Sequence, residues 1–461
     1  MSAEINVPGK EVTPSMDNST SKKRLNNYFD GLPVSKTQVF LYVIIVMAYF
    51  FEQLDNNNFS FISPALMASW GLQKPQIAQI TSLYFLGMTL GGLTGGVISD
   101  IIGRRKTFLA AILIFSSMSV LNGLTNSFTV FMISRALTGF GIFCMMVVSI
   151  AYIAEMTPGE SRGKWQSLTA AGGFCAMPVI GFISRAIIPM SPEAWRIIFY
   201  IGGIGFIGFF LGLKYLKESP RWLVSKGRVA EAEKVVEDLT GVAVDLSEVA
   251  KQVPKKASTV EQLVGMFTGK YLKRTLVLLL LFIPCGVGTF ATSVWMPTLL
   301  VGKGFTLAQS LTVGTAFMLG GPVGLFLSSF FSDKGGRKIP IGIGSLILAA
   351  LTIVFATLGN VYVTVMIVAF LINACIMGVG FINMAYVAEH YPTKMRNTSV
   401  GFINASQRFA VSGSQLLIPL IMVGVGFKGL FLGLGGLYIL GAVVVLFFGE
   451  RTGGKSLEEI D

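Results

Sequence analysis

Charged, histidine and cysteine side chains are scarce in this chain of 461 residues. Charged residues make up 13 % of it, about half the share found in soluble proteins. The single histidine and the four cysteines, which form no CxxC pair, leave little material for a metal centre. One match to GxxxxGKS/T, the motif that cradles nucleotide phosphates, occurs as GERTGGKS at 449–456, but it follows an apolar run and not a predicted strand. The polar stretch 216–271 is too short for the domain of an ATPase. A metal site and a nucleotide-driven pump are therefore not expected.

Apolar residues, in contrast, make up 52 % of the chain and give a mean hydropathy of +0.68. They form runs of about 20 residues, the length at which a helix crosses a lipid bilayer. We therefore expect an all-α integral membrane protein with twelve transmembrane helices. The expected spans are 38–62, 76–98, 107–126, 128–150, 165–187, 195–215, 272–300, 306–331, 340–358, 362–386, 399–422 and 426–448.

Lysine and arginine concentrate in every second loop, whereas the opposite loops contain only Lys74, Lys303 and Lys428. Because basic loops stay in the cytoplasm, we expect a multi-pass protein of the cell membrane with both termini cytoplasmic. The net charge of +12 then reflects topology and contact with anionic lipids, so no nucleic-acid partner is expected. The expected units are a cytoplasmic tail 1–37, a six-helix bundle 38–215, a cytoplasmic linker 216–271, a second six-helix bundle 272–448 and a cytoplasmic tail 449–461.

Two motifs occur twice in the chain with nearly the same spacing. AYIAEMTP at 151–158 returns as AYVAEHYP at 385–392. SDIIGRR at 99–105 returns as SDKGGRK at 332–338, so the two displacements along the chain differ by a single position. The shared offset indicates two parallel repeats of six spans each. Such repeats form the two pseudo-symmetric bundles of secondary transporters, which hold the substrate near the membrane midplane between them.

These motifs resemble those of the major facilitator superfamily. GVISDIIGRR at 96–105 is similar to the superfamily signature after the second span, although Ile101 stands where the family usually has a basic residue. KESPRWL at 217–223 and ERTGGKSLEEI at 450–460 resemble two sugar-porter signatures. The resemblance covers roughly residues 38–461. It implies the major facilitator fold and transport by alternating access.

The chain departs from hexose porters at the positions that bind sugar hydroxyls in that group. Where those porters carry glutamine and asparagine, this chain has Ala170, Pro284, Cys285 and Phe290. A hexose would lose several hydrogen-bond partners, which is costly for buried polar groups. WMPT at 295–298 instead resembles aromatic-acid, niacin and uncharacterised metabolite transporters. The resemblance favours a small organic acid or an acid-bearing sugar derivative as the substrate.

Two acids lie in the first span. Glu52 and Asp55 are three residues apart, so they share one face of a helix. An acid inside a membrane usually faces the bundle interior or a water-filled cavity. By the resemblance, Asp55 matches a proton-linked aspartate and Arg135 matches the arginine that pairs with it. A pair that forms and breaks with bundle movement couples protons to transport, so the candidates for proton coupling are Asp55, Arg135 and Glu52. The alternatives are a polar cap on the outer end of the helix and a static ion pair.

Arg408 lies about ten residues into the eleventh span, or about 15 Å deep. Its planar fork is suited to a substrate carboxylate. A gate contact and capping of backbone carbonyls are the alternative roles. Further candidates for lining the substrate site are polar or aromatic side chains in the spans, and packing between helices explains the tyrosine and the asparagines equally well. These candidates are Tyr84, Phe290, Trp295, Asn373, Asn383 and Asn404.

Acids and bases recur at the inner ends of the spans in both repeats. We expect them to pair across the bundles and close the inner side, so that each pair favours one of two states. The alternative is a solvated loop surface. The candidates for this cytoplasmic gate are Asp100, Arg104, Arg105, Glu155, Arg162, Asp333, Arg337, Glu389 and Arg396.

Together, these features predict a secondary transporter and not an enzyme. We expect it to move a small polar metabolite, an organic acid or a sugar-like compound, by alternating access and proton symport. Its partners would be the substrate, protons and the lipid bilayer. It would act as a monomer without a cofactor, driven by the proton gradient. A sugar or polyol uniporter, a proton-linked exporter and a nutrient receptor that does not translocate remain as alternatives.

Overall fold

Helices account for nearly all of the ordered structure. The structure is a computed structural model that describes residues 23–24, 28–29, 31–32, 34–251, 259–332, 334, 336–359, 361–392 and 395–452. Within that part of the chain, eleven helical segments are long and apolar enough to cross a membrane. The last segment has 51 residues, and at about 1.5 Å per residue it is more than twice as long as a bilayer core is thick. Its backbone leaves the helical conformation at Gly426 (φ 68°, ψ −170°), so it contains two spans and brings the total to twelve.

The first six spans form one bundle. Its helices are α1 (Lys36–Trp70), α2 (Lys74–Ile102), α3 (Arg104–Leu124), α4 (Phe128–Met156), α5 (Arg162–Phe174), α6 (Ala176–Ile187), α7 (Trp195–Gly202) and α8 (Gly205–Tyr215). The fifth and sixth spans are each divided into two helices, at Cys175 and at Gly203, where the sequence predicts continuous helices. At the first break Pro178 has no N–H to donate to the carbonyl of Phe174. At the second, Gly202, Gly203 and Gly205 weaken the intrinsic preference for helix.

Helix α1 is longer than the sequence predicts. It begins after Ser35, whose side chain accepts a hydrogen bond from the backbone N–H of Gln38. It ends at Gly71, which adopts the left-handed conformation (φ 65°) that favours glycine at a helix C-terminus. The helix continues beyond Asp55 to Trp70. Asp55 therefore lies in the middle of the helix and does not cap its outer end.

Short elements connect the two bundles. These are α9 (Pro220–Ser225), α10 (Val229–Thr240), strand β2 (Val244–Asp245), α11 (Ser247–Lys251) and α12 (Thr259–Met266). Strand β2 pairs in parallel with strand β1 (Lys23–Arg24), so the N-terminal segment is tied to this linker. The Ser35 hydroxyl also donates a hydrogen bond to the carbonyl of Leu239. The Trp222 indole N–H donates to the carbonyl of Asp100 over 3.0 Å, which fixes α9 to the inner end of α2.

The last six spans form the second bundle. Its helices are α13 (Gly269–Gly302), α14 (Leu307–Ser328), α15 (Lys338–Thr357), α16 (Tyr362–Glu389) and α17 (Arg396–Phe448). The packing of this bundle repeats that of the first. At Gly91 of α2 a Cβ atom would collide with the carbonyl of Phe140 on α4. At Gly324 of α14, the equivalent position of the second repeat, it would collide with the carbonyl of Ala374 on α16.

The two bundles touch each other in their outer halves, where "outer" denotes the side of Trp70 and Lys74 according to the orientation expected from the charges. The hydroxyls of Ser63 on α1 and Thr298 on α13 are 2.6 Å apart. Deeper in the protein, the Ser412 hydroxyl of α17 donates to the carbonyl of Ser82 on α2 over 2.7 Å. These contacts close the outer side in this structure.

The close approach of α2 and α4 generates a stability prediction. Gly91→Ala places a methyl group against the Phe140 carbonyl and should lower the free energy of unfolding by about 1–3 kcal/mol, the usual cost of overpacking. The matched control is Gly96→Ala on the same helix, where a Cβ atom meets nothing within 4 Å. That change should leave stability unchanged or raise it, because alanine favours helix. Unfolding midpoints of the purified variants provide the measurement, and equal midpoints for the two variants would contradict the packing account.

Candidate functional site

An aspartate and an arginine form a buried ion pair within the first bundle. Asp55 lies on α1 and Arg135 on α4, and both side chains are at most 1 % exposed. Their Oδ2 and Nη1 atoms are 3.8 Å apart. Asn58 on α1 and Ser119 on α3 donate hydrogen bonds to the other carboxylate oxygen over 2.5 and 3.1 Å. The carboxylate of Asp55 therefore has one cationic and two hydrogen-bonding partners.

Three aromatic rings surround the guanidinium of Arg135. Its central carbon lies 4.4 Å from the ring centre of Tyr84, 5.1 Å from Phe59 and 5.6 Å from Phe199. A desolvated cation–π contact of this kind contributes about 2 kcal/mol or more. The Tyr84 hydroxyl donates to Oδ1 of Asn56 over 2.7 Å, so its polar atom is used inside the first bundle. Tyr84, a candidate for lining the substrate site, thus also holds Arg135.

Glu52 lies one helical turn before Asp55 and is 1 % exposed. Its Oε2 atom is buried and has no hydrogen-bond partner in the described part of the chain. The positive charge that acts most strongly on it is Arg408, which belongs to the second bundle. Glu52 is therefore a buried acid whose electrostatic partner is on the opposite side of the bundle interface.

Arg408 extends from α17 toward the first bundle. Its guanidinium carbon is 4.3 Å from the ring centre of Phe290 on α13, 5.1 Å from Phe143 on α4 and 6.0 Å from Phe85 on α2. The Nε and Nη1 atoms are buried, and no described residue accepts a hydrogen bond from them. The aromatic rings do not accept these hydrogen bonds as oxygen atoms would. The guanidinium of Arg408, a permanent cation between the bundles, therefore has N–H groups available for a ligand. A carboxylate is the group that fits such a fork.

The other predicted lining residues are mostly engaged within the second bundle. The Trp295 indole N–H donates to Oε1 of Gln415 over 2.8 Å. The Asn373 amide donates to the carbonyl of Phe317 over 2.6 Å, and the Asn404 amide to a carbonyl of its own helix over 2.8 Å. These contacts fit the packing alternative. The Oδ1 atoms of Asn373 and Asn383 are both buried and accept no hydrogen bond from any described residue.

Sequence analysis did not single out three residues that shape this site. Ser119 binds Asp55, whereas Phe85 and Phe143 lie against Arg408. Serines and phenylalanines are common in apolar spans, where they usually serve packing. No local pattern distinguishes these three from their neighbours. Only the arrangement of the helices brings them next to a charge.

Charges also gather at the inner end of the first bundle. Arg104 at the start of α3 binds both carboxylate oxygens of Glu155 at the end of α4, over 2.9 and 3.0 Å. Arg104 also lies 2.8 Å from a carboxylate oxygen of Asp100. The carboxylate of Glu218 accepts hydrogen bonds from the backbone N–H groups of Arg104 and Arg105 over 2.7 and 3.1 Å. The linker is thereby fixed to the first turn of α3.

The second bundle repeats the central pair of this network. Nε of Arg337 lies 2.8 and 2.9 Å from the two carboxylate oxygens of Glu389. Each arginine begins a helix and reaches the end of the neighbouring helix in its own bundle. The two repeated salt bridges are thus formed within a bundle, whereas the sequence led us to expect pairing across the bundles.

The remaining gate candidates have separate surroundings. Arg396 donates from Nε to the carbonyl of Ala388 over 2.9 Å. Nε of Arg162 is buried and finds no acceptor among the residues that the structure describes. Asp333 lies outside the described residues. His390, next to these groups, is 2 % exposed, and burial lowers the pKa of its imidazole, which therefore stays neutral near pH 7.

Comparisons with known proteins agree with this architecture. Two six-helix bundles with buried charges between them define a multi-pass membrane transporter. The model of the Major Facilitator Superfamily matches residues 45–414 and 312–460. The metabolite transport protein YyaJ of Bacillus subtilis is 32 % identical over 441 residues, which cover 94 % of this chain and 96 % of that protein. The chain belongs to the Major Facilitator Superfamily, and the predicted family, fold class and transporter function are confirmed.

Two further relatives are similar over most of their length. The niacin transporter NiaP of Acinetobacter baylyi is 26 % identical and covers 94 % of this chain and 98 % of its own. The 4-hydroxybenzoate transporter PcaK of Pseudomonas aeruginosa is 27 % identical and covers 87 % of this chain and 90 % of its own.

Solved structures show the same fold. A D-xylose–proton symporter is 19 % identical with a TM-score of 0.74, and covers 91 % of this chain and 99 % of its own. The inward-open xylose transporter XylE of E. coli is 20 % identical with a TM-score of 0.73, and covers 92 % of this chain and 98 % of its own.

The inner network generates a prediction about stability. Glu155→Gln removes the carboxylate that binds Arg104 and also accepts a hydrogen bond from Ser219 over 2.6 Å. The guanidinium would keep Asp100 but lose its two charge-assisted hydrogen bonds to Glu155, so the free energy of unfolding should fall by roughly 1–3 kcal/mol. Glu160→Gln is the control, because Glu160 is exposed in the same loop. Unfolding in detergent measures both variants, and an equally small effect of the two would show that the Glu155 contact contributes little.

Proposed function

We propose that this transporter carries a small organic anion, and that Arg408 binds its carboxylate. The observation that carries this proposal is the state of the Arg408 side chain. It is a permanent cation, it lies between the bundles, and its Nε and Nη1 atoms have no acceptor among the described residues. A ligand carboxylate would fill the positions that these donors leave open. Phe85, Phe143 and Phe290 would then contact the apolar part of the ligand.

The relatives support an acid as the substrate. NiaP is named for niacin and PcaK for 4-hydroxybenzoate, and both compounds are small aromatic carboxylic acids. The sugar-binding glutamine and asparagine positions of hexose porters are Ala170, Pro284, Cys285 and Phe290 in this chain. A sugar hydroxyl would find few partners there, whereas a carboxylate finds a guanidinium.

We further propose that the proton gradient drives uptake by symport. The support is a pair of buried acids on α1, Glu52 and Asp55, together with buried Arg135 and half-buried Arg408, because ionisable groups in a membrane interior usually serve transport. By this proposal the protein works as a monomer in the cell membrane, with both termini in the cytoplasm and without a cofactor. Uniport of a sugar or polyol, proton-linked export and binding without translocation are the outcomes that the following experiments would reveal.

The position of Arg408 at the bundle interface suggests how a bound anion is transported across the membrane. The cation belongs to the second bundle, but two of the three rings around it belong to the first. A ligand held there is shared by both bundles. Movement of one bundle against the other exposes this shared site to one side at a time, provided that the contacts on the closed side open.

The anion proposal predicts a preference for acids over their neutral analogues. Wild-type protein should bind niacin or 4-hydroxybenzoate about ten- to a hundredfold more tightly than the corresponding amide, since a charge-assisted hydrogen bond contributes roughly 1.5–3 kcal/mol. Arg408→Lys keeps the charge but loses the planar fork, so it should weaken acid binding in part. Arg408→Gln should weaken it further and abolish the preference. Calorimetry on purified protein measures all of these affinities.

Binding of the amides as tightly as the acids by wild-type protein would contradict the anion proposal. The same conclusion follows if Arg408→Gln weakens both classes equally. A neutral sugar or polyol would then be the leading substrate, and Arg408 would be a gate residue. Arg196→Gln serves as the matched control, because Arg196 lies at the outer end of the first bundle and should not affect the preference.

Alternating access predicts that a cross-link on the outer side stops transport. In a background in which the four native cysteines are replaced and uptake of 4-hydroxybenzoate is retained, Ser63→Cys with Thr298→Cys places two thiols where hydroxyls are 2.6 Å apart. Oxidation should arrest uptake into proteoliposomes, and a reductant should restore it. The Ser63→Cys single variant is the control and should be insensitive to oxidation. Undiminished uptake by fully cross-linked protein would show that the outer side need not open there.

A further inference from the structure

Buried Glu52 and half-buried Arg408 carry opposite charges on different bundles, and no ion pair joins them in the described part of the chain. Glu52 belongs to the first bundle and Arg408 to the second, and each acts on the other electrostatically. Oε2 of Glu52 and both Nε and Nη1 of Arg408 are buried without hydrogen-bond partners in the described chain. A buried charge without a partner is costly. Because Glu52 and Arg408 each have buried polar atoms without a partner, either side chain can take a new partner when one becomes available.

Asp55 differs from Glu52, although the two share a helix face. Asp55 has a compensating arginine at 3.8 Å and two hydrogen-bond donors, all from the first bundle. All of these contacts lie within one bundle, so rigid movement of the bundles leaves them intact. Oδ2 of Asp55 and Nε and Nη1 of Arg135 are also buried without hydrogen bonds to described residues, but their ionic partner is in the same bundle. Asp55 and Arg135 therefore have the features of a fixed pair, whereas Glu52 has those of a group that changes state.

We infer that Glu52 carries the transported proton, and that Glu52 and the substrate carboxylate take turns as the anionic partner of Arg408. This inference rests on the proposed function, because it requires a substrate with a carboxylate. It assigns different tasks to the two acids of α1. Glu52 exchanges protons with water, and the Asp55–Arg135 pair positions the helix beside it.

The steps balance in both charge and protons. In the empty site, ionised Glu52 neutralises Arg408. A proton from water adds to a carboxylate oxygen of Glu52, and the substrate carboxylate takes its place at Arg408. The loaded site then carries the same net charge as the empty one. On the opposite side the substrate leaves, the Glu52 proton returns to water, and the Glu52 carboxylate again neutralises Arg408 for the return of the empty carrier. Each monoanion therefore crosses with one proton, without net transfer of charge.

The neighbours of Glu52 are consistent with this exchange. Its titratable and charged surroundings are Tyr49 and Asp55 on α1, Tyr84 on α2 and Arg408 on α17. The Asp55 charge opposes a second negative charge at Glu52 whenever the substrate occupies Arg408. Binding of the acid and protonation of Glu52 therefore favour each other. Linkage requires this coupling to appear equally in both directions.

The first test follows the proton itself and needs no ligand. Infrared difference spectra of the full-length protein in proteoliposomes, recorded between two pH values, detect the C=O band of a buried protonated carboxyl. The band that appears on acidification should be present in wild type and in Asp55→Asn and absent in Glu52→Gln. In Arg408→Gln the same band should persist to higher pH, because the Glu52 carboxylate has lost its counter-charge. Loss of the band in Asp55→Asn, or its persistence in Glu52→Gln, would overturn the assignment.

The second test adds 4-hydroxybenzoate as the probe. Where Glu52 is ionised, wild-type affinity should fall about tenfold per pH unit, as expected when one proton binds with each anion. Glu52→Gln should bind the probe with an affinity independent of pH over that range, and Asp55→Asn should keep the wild-type slope. A steep slope in Glu52→Gln would contradict the inference. If the infrared result holds but neither 4-hydroxybenzoate nor niacin binds, the proton site stands and the anion proposal fails.

Discussion

A charge inside a lipid-embedded helix bundle must find its partners within the protein or in a water-filled cavity, because lipid tails offer none. The first bundle supplies such partners from within itself at Asp55 and Arg135, since an ion pair joins the two, Ser119 donates a hydrogen bond to Asp55 and aromatic rings surround Arg135. Glu52 and Arg408 meet it only in part, and each belongs to a different bundle. The substrate and proton chemistry proposed for this transporter is concentrated at that incomplete pair, where the movement of the bundles can change which partners meet.

The fold follows largely from two sequence features, the apolar runs and the internal repeat that relates 99–105 to 332–338 and 151–158 to 385–392. The differences have local causes. Polar residues around Asp55 lower the hydropathy of α1, so its continuation to Trp70 is hidden. The break at Cys175 is marked by Pro178, which has no N–H for the Phe174 carbonyl, whereas no proline marks the break at Gly203. The pairing of strands β1 and β2 joins distant segments, and no periodicity within either one predicts it.

The candidate site is predictable to the extent that charge alone identifies it. Glu52, Asp55, Arg135 and Arg408 stand out because ionisable residues are rare inside spans. The first three are buried, and Arg408 is half-buried with its Nε and Nη1 atoms enclosed. Which atoms meet is decided by tertiary structure. Trp295 carries a polar atom that a substrate could have used, but that atom is bound within its own bundle. The sequence likewise does not predict the pairing at the inner ends, where Arg104 binds Glu155 and Arg337 binds Glu389, each within its own bundle.

The central claim is that an organic anion and a proton cross together. The most direct measurement follows the pH of a weakly buffered medium when 4-hydroxybenzoate is added to proteoliposomes without an imposed gradient, corrected for protein-free liposomes. Labelled acid taken up in the same sample gives the ratio. The account predicts that the medium becomes more alkaline by about one proton per molecule of acid taken up, and that a membrane potential of either sign leaves the rate unchanged. Protein-dependent uptake of the acid without any change in pH would contradict it.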